Sequence, residues 1–288
     1  MSPALSGGLT SMTTPRTVLT GLSFGESPRW HGGRLIVSDW GAGEVLAIAE
    51  DGSSEVVARV ESFPLCVDFL PDGRMLLVAG PTLLRQEPDG TLVPHADLGT
   101  FGTTPFNDIV VDDRGNAYVN NIGFDFGSGD VQPGWVLLVP PDGQAHRVAD
   151  GLMFPNGMAV SADGRTLVVA ESYGSCLTAY DIDDDGGLSG RRVFADLGED
   201  NPDGICLDAE GAAWYADVPH GHCVRVAEGG EVLQTVELGR GGFACVLGGP
   251  DRRTLYVVTN EWGPEGPVGE RNSTVVAVEV DAPGAGHP

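Results

Sequence analysis

The sequence predicts an all-β protein. Its expected architecture is a six-bladed β-propeller with four-stranded antiparallel blades, the ring closed by an N-terminal strand. Three observations carry this expectation. Short Val-rich runs recur along the chain between 43 glycines and 20 prolines, and no stretch holds an apolar period of 3.6 residues long enough for a helix. Six related segments recur at a spacing that suits a propeller blade. An early strand-like run also has no partner except the last one.

The six segments are "ESPRWHGGRLIVSDW" from Glu26, "CVDFLPDGRMLLVAG" from Cys66, "NDIVVDDRGNAYVNN" from Asn107, "NGMAVSADGRTLVVAES" from Asn156, "DGICLDAEGAAWYADV" from Asp203 and "CVLGGPDRRTLYVVTN" from Cys245. Each reads as an opening residue, a short strand, a tight turn and a second strand. The turns carry Gly33, Gly73, Gly115, Gly164, Gly211 and Arg252, which lie 40, 42, 49, 47 and 41 residues apart. Further strand and turn signals follow in each unit, as in "GWVLLVPPDGQAHRVA" at 134–149. About four strands per 40–50 residues is the pattern of a propeller blade. One such sheet cannot bury both faces alone, so the blades pack around an axis. Closing the circle pairs "TVLTGL" (17–22) with "STVVAVEV" (273–280). Two separate β-sandwiches are the alternative, and they leave the six equivalent units unexplained. The expected boundaries are an N-terminal tail at 1–15 with Met12 as an alternative start, one propeller domain over 16–281 and a C-terminal tail at 282–288.

In a propeller the first strand of each blade lines the central channel, so the residues that open these strands meet at one mouth. Four of the six openers carry side-chain oxygens: Glu26, Asn107, Asn156 and Asp203. Two carboxylates and two carboxamides aimed at one point are costly to bury without a partner. A hard divalent cation satisfies them, since it takes oxygen ligands and accepts neutral amide carbonyls. Taken singly, Pro-Asn-Gly (155–157) and Pro-Asp-Gly (202–204) also read as ordinary turn chemistry.

These segments resemble the senescence marker protein/gluconolactonase family, also called regucalcin-like. The similar stretches are "GESPRW" (25–30), "FNDIVVDDRG" (106–115), "FPNGMAVSADGRTLVVAES" (154–172), "NPDGICLDAEGAAWYAD" (201–217) and "LGGPDRRTLYVVT" (247–259). The resemblance runs from about residue 18 to 280. It implies a six-bladed propeller with one divalent metal at the channel mouth, held by Glu26, Asn156 and Asp203. Asn107 is implied as a fourth ligand or as a contact to water or substrate. The chain departs from the sugar lactonases at two places. The arginine such members carry two residues before the Asn of the Asn-Asp motif is Pro105 here. The glutamate they use for sugar recognition falls near Phe124. A site reads hydroxyls only if it is built to do so, so the expected substrate is less polar than gluconolactone.

The expected activity is metal-assisted hydrolysis of a lactone or related ester, with Ca²⁺ as the first choice of ion and Mg²⁺, Mn²⁺ and Zn²⁺ open. Asp203 is the candidate general base; the other assignment makes it a ligand only. Candidate pocket walls are Trp40, Asn121, Phe124, Tyr173, His220 and Trp262. Segments 123–134 and 261–273, rich in Gly and Pro, are candidate caps over the mouth. Two other classes stay open: non-hydrolytic biosynthetic chemistry on the same fold, and a non-catalytic calcium-binding propeller.

Three motifs are set aside. "GLSFG" (21–25) matches a nucleophile elbow around Ser23, but no helix follows it. "DIDDDG" (181–186) begins like an EF-hand loop, yet position twelve is Arg192. "HGH" (220–222) reads first as a solvated loop, with metal binding or base chemistry at His220 as the alternative.

Charge excludes further classes. The formal net charge is −25, and all 16 basic residues are Arg. Without a cationic surface the chain suits neither nucleic acid nor an anionic membrane, and with no Lys it supports no Schiff base. The expected partner is a small-molecule substrate. The five cysteines are odd in number, lie in apolar runs and form no CxxC pair, which fits free thiols in the cytoplasm. No secretory signal is read at the N-terminus, and no apolar run reaches the roughly 18 residues of a membrane span.

Overall fold

The computed structural model describes residues 14–127, 130–263, 266–267 and 270–286. Residues 1–13 of the expected N-terminal tail lie outside the described residues. So do 128–129 and 264–265 and 268–269 of the two candidate caps, and 287–288 at the C-terminus.

The described strands form six four-stranded antiparallel sheets and one two-stranded ribbon, Trp262–Gly263 with Gly266–Pro267. Five blades are built from consecutive strands, with inner strands Gly25–His31, Leu65–Phe69, Phe106–Val111, Pro155–Val160 and Pro202–Leu207. The sixth has the inner strand Gly241–Gly248, then Thr254–Asn260, then Ser273–Glu279, and its outer strand is the N-terminal Arg16–Leu22. The ring closes there: Thr17 pairs with Val276 and Leu22 with Ser273.

Alternation along each strand decides which neighbour a side chain meets. Met158 and Val160 face the third blade, packing with Val110 and Tyr118. Ala159 between them faces the fifth, packing with Ile205 and Tyr215. Six apolar clusters each bridge two adjacent blades. Both faces of a blade are therefore dry, which is why its strands read as unbroken apolar runs rather than alternating ones.

The Pro-x-Gly tripeptides are not turns. Both lie inside inner strands, Pro155–Val160 and Pro202–Leu207. Their glycines are required by close approach between neighbouring inner strands. A Cβ on Gly157 would sit 2.5 Å from the Ile205 nitrogen and 2.6 Å from the Asp203 oxygen. One on Gly204 would overlap the Ala244 Cβ and lie 2.5 Å from its Cα. Backbone cannot give way as a flexible side chain can. Gly204→Ala is therefore expected to lower unfolding stability by about 1–3 kcal/mol or more, read as a fall in the urea midpoint. An unchanged midpoint would show that the inner ring has slack.

Within the expected C-terminal tail, residues 282–286 pack back onto the propeller. Gly284 bridges to Asp208, the Ala209 N–H donates to the Pro283 carbonyl at 2.7 Å, and Ala282 is buried. All five cysteines are free and four are buried. Among the described residues no helix is long and apolar enough to cross a membrane.

Candidate metal centre

Glu26, Asn107, Asn156 and Asp203 are each the second residue of an inner strand. At each of these strands the pairing slips by one residue just after the opener: between Glu26 and Arg29, Phe106 and Ile109, Pro155 and Met158, and Pro202 and Ile205. A β-bulge re-aims the side chains it carries. Here it lets adjacent residues such as Asn107 and Asp108 line one cavity, which a regular strand would forbid. The second blade shows no such slip in its inner pair, and its opener is Cys66. Burial and then the Asp108 carboxylate push the Cys66 thiol well above its ordinary range. It stays protonated and donates to the Asn107 carbonyl at 2.7 Å.

The cavity at this mouth is small, with about 10 Å³ of free space, and is lined by Glu26, Cys66, Asn107, Asn156, Gly204 and Cys245, among others. Three of the four predicted oxygen-bearing residues, Glu26, Asn107 and Asn156, line it, and Asp203 stands beside them within reach of Asn156 and of the Glu26 charge. The Asn107 Nδ2 donates to the Asn156 Oδ1 at 3.0 Å, and the Asn156 Nδ2 donates to the Ser172 Oγ at 3.2 Å. The Asn156 amide also stabilises the Asp203 carboxylate. Glu26 is 8% exposed, and burial pushes its carboxyl up to about 8. Burial, then the charges of Glu26, Asp108 and Asp217, push Asp203 well above the usual carboxylate range. Two acids that repel each other, Glu26 buried and Asp203 partly so, beside two amides with carbonyl oxygens to offer, fit a hard divalent cation.

Beneath the openers runs an ionic layer that sequence reasoning missed. Arg29 is buried and donates through Nη2 to Asp108 Oδ1 at 3.1 Å and to the Ile109 carbonyl at 2.6 Å. Its Nε stands 3.6 Å from Asp68 Oδ1. The two acids then reach the next strands: Asp68 Oδ2 accepts the Val111 N–H at 2.7 Å, and Asp108 Oδ2 accepts the Met158 N–H at 2.9 Å.

The wall candidates divide. Asn121 is fully buried, and its amide is committed to the Thr104 carbonyl and the Gly123 N–H. It clamps the loop below the mouth. Asp39, Glu171 and Asp217 end the equivalent strands of their blades and clamp in the same way, accepting N–H groups of Phe24, Met153 and Asn201. Phe124 is 6% exposed and backs Phe154 and Tyr173, the latter 48% exposed. Trp262 packs on Phe243 and Phe24, and Phe24 stacks on Trp40, against which Phe63 packs edge-on. Phe24, Phe154 and Phe243 each stand two residues before an opener. The mouth is therefore aromatic on the first, second and sixth blades and again on the third and fourth. On the fifth it is polar: His220 lies 3.1 Å from Asp217 and 3.3 Å from Asp200.

Comparison with known proteins places this geometry. The model of the SMP-30/Gluconolactonase/LRE-like region matches residues 24–261. The pentonolactonase XacC of Haloferax volcanii is 26% identical over 282 residues, 90% of this chain and 89% of that one. A 6-deoxy-6-sulfogluconolactonase of Pseudomonas putida is 30% identical over 64% of each chain. Regucalcin of Danio rerio is 32% identical over 57% of each, so this chain spans little more than half of that relative. Among solved structures, a calcium-binding regucalcin from Agrobacterium tumefaciens superposes with a TM-score of 0.80 at 21% identity, over 96% of this chain and 97% of that one.

Proposed function

The chain belongs to the SMP-30/gluconolactonase/LRE-like family, and we propose that it is a divalent-metal-dependent hydrolase of a lactone or related ester less polar than an aldonolactone. The observation that carries the reading is the set of four oxygen-bearing openers, each at a bulge of a different blade, three of them lining one small cavity and Asp203 beside them. Relatives named as lactonases support the reaction class.

Glu26, Asn156 and Asp203 would hold the cation, with Asn107 as a fourth ligand or a contact to water or substrate. Bound there, a divalent cation supplies Lewis acidity to an ester carbonyl. Asp203 accepts the proton of the attacking water. In the metal-free protein burial, then the charge of Glu26, pushes its carboxyl well above the usual carboxylate range, the direction that strengthens a proton acceptor. The Asn107 amide fixes the Asn156 side chain through their hydrogen bond, so the carboxamide does not swing out of the cavity. Phe24, Phe63, Trp262 and Tyr173 receive the apolar part of the substrate and exclude water. Pro105 offers no donor where a hydroxyl-reading arginine would serve a sugar.

The test is a panel of aldonolactones, alkyl- and aryl-substituted lactones and aryl esters, assayed with and without chelator. Chelator-sensitive hydrolysis that favours the substituted lactones is the expected result. Turnover that survives exhaustive chelation would remove the metal reading. Metal binding without turnover across the panel would favour the non-catalytic one, and products whose mass excludes added water would favour non-hydrolytic chemistry.

Cation binding also has a predictable pH sign. With the Glu26 carboxyl held up to about 8 rather than 4.5, the folded metal-free protein keeps this proton. The associated stability is full below about 4.5 and is lost as pH rises through about 8. A cation takes the proton's place, so Ca²⁺ should raise Tm more at about pH 9 than at about pH 5. At a hundredfold excess over Kd the gain is about 2.7 kcal/mol. An equal shift at both pH values would place the ion away from Glu26.

A further inference from the structure

We propose that Asp200, Asp217, His220 and His222 form a second divalent-cation site on the fifth blade, distinct from the axial one and of the nitrogen/oxygen type that suits Zn²⁺. The four residues each offer one ligand atom, and these atoms lie within 4.8 Å of one another. The His220 Nδ1 is 3.1 Å from Asp217 Oδ1 and 3.3 Å from Asp200 Oδ1, and the His222 Nε2 is 3.0 Å from Asp200 Oδ2. A tetrahedral ion with bonds of about 2.0–2.2 Å holds its ligand atoms roughly 3.3–3.6 Å apart. The three close contacts therefore need to open by a few tenths of an ångström, while any pair near the 4.8 Å limit of the cluster has to close by about an ångström.

The supporting contacts are those of a metal site. Metal-ligating carboxylates are held by outer hydrogen bonds that fix their direction. Asp217 is fully buried and accepts the N–H groups of Asn201 at 2.7 Å and His220 at 2.6 Å. Asp200 accepts the Tyr215 hydroxyl at 2.6 Å. Pairing of Pro202 with Asp217 brings the entry loop carrying Asp200 against the hairpin carrying both histidines. Gly221, at a φ of 68°, lets the chain turn between them so that the two imidazoles stack, 5.7 Å between centroids. The His220 side chain is 43% exposed, which leaves an entry path.

Comparison of the blades separates this cluster from scaffold. Asp39 occupies the same place in the first blade as Asp217 in the fifth and makes the same turn, accepting the Ala42 N–H at 3.3 Å where Asp217 accepts that of His220. The first-blade counterparts of His220 and His222 are Ala42 and Glu44. The turn thus forms without imidazoles, and the two histidines with Asp200 are additions specific to this blade. The mixed imidazole and carboxylate set suits Zn²⁺ or Co²⁺, whereas the all-oxygen axial set suits a harder ion.

The test is titration of metal-free protein with Zn²⁺ by calorimetry and with Co²⁺ by visible absorption and paramagnetic shifts of the histidine ring protons. The proteins are the wild type, His220→Gln/His222→Gln, Tyr215→Phe and Glu26→Ala/Asp203→Ala. Expected is one equivalent of Zn²⁺ that survives Glu26→Ala/Asp203→Ala and is lost in His220→Gln/His222→Gln. With Co²⁺ it should shift the ring protons of both histidines. Tyr215→Phe keeps the buried ring and should weaken this equivalent by about 10–100-fold, which guards against a histidine variant that fails to fold. A single equivalent lost only in the Glu26/Asp203 variant overturns the second site and leaves the axial one. A single equivalent lost only in the histidine variant upholds the second site and overturns the axial one for these ions. No binding by any protein overturns the second site.

Discussion

Asp203→Asn is expected to lower kcat by at least about 100-fold, within the 10²–10⁴ that a positioned general base contributes, while the protein stays folded and still takes up Ca²⁺ when the ion is in excess. The amide matches the carboxylate in shape and keeps a carbonyl oxygen, so a ligand is retained while the proton acceptor is removed. That separates the two roles this residue can hold. If Asp203 only binds the ion, saturating Ca²⁺ restores turnover and the loss appears as a weaker metal requirement. If it takes the proton from water, kcat stays low at every Ca²⁺ concentration. Asp203→Ala, which removes both oxygens, should abolish turnover under either role. Near-normal rates in Asp203→Ala would remove the residue from the mechanism. The arrangement that makes the test sharp is the partly buried Asp203 carboxylate beside the Glu26 charge and the Asn156 amide.

Arg29→Met carries the largest expected effect on stability, a loss of about 3–5 kcal/mol. The guanidinium is 6% exposed and binds acids from two other blades, Asp68 and Asp108. Each acid in turn accepts a backbone N–H from the next inner strand, at Val111 and Met158. Methionine fills much of the volume but removes the positive charge that both buried carboxylates contact. Burial already holds Asp108 above the ordinary carboxylate range against the pull of Arg29. Without the arginine it rises further. The stability of its protonated form is present below the unfolded value and is lost as pH rises through the folded one. The defect should therefore be mildest in acid and grow as pH rises above the ordinary carboxylate range. A urea-unfolding difference below about 1 kcal/mol at neutral pH would mean that water reaches this layer and screens the charges.

Much of the site was legible because the repeat made it so. Glu26, Asn107, Asn156 and Asp203 hold equivalent places in units of similar length, so their convergence followed from the blade pattern before any coordinates. Arg29 and Asp108 were not found, although both lie within the quoted motifs. Glu26 and Arg29 are three apart, and Asn107 and Asp108 are adjacent. On a regular strand neither pair shares a face. Only the bulges put them into one cavity. Asn121 was read as a wall because it ends a second strand beside the mouth, and its burial and bonding to Thr104 make it a loop clamp. Asp200 carried no local signal. It reaches the histidines only through the register of Pro202 against Asp217.

The sequence by itself determined the number of blades, their antiparallel build, the strand that closes the ring and the residues that open the inner strands. These follow from short-range alternation, turn chemistry and a repeat spacing, all of which are written locally. The tertiary structure alone decided which way those openers point, why glycine follows two of them and which charges lie beneath. Such features depend on one-residue slips in strand pairing and on backbone contacts between neighbouring blades, such as Gly157 against Ile205. A slip of one residue leaves hydrophobicity unchanged and reverses the face of every side chain beyond it, so no local pattern records it.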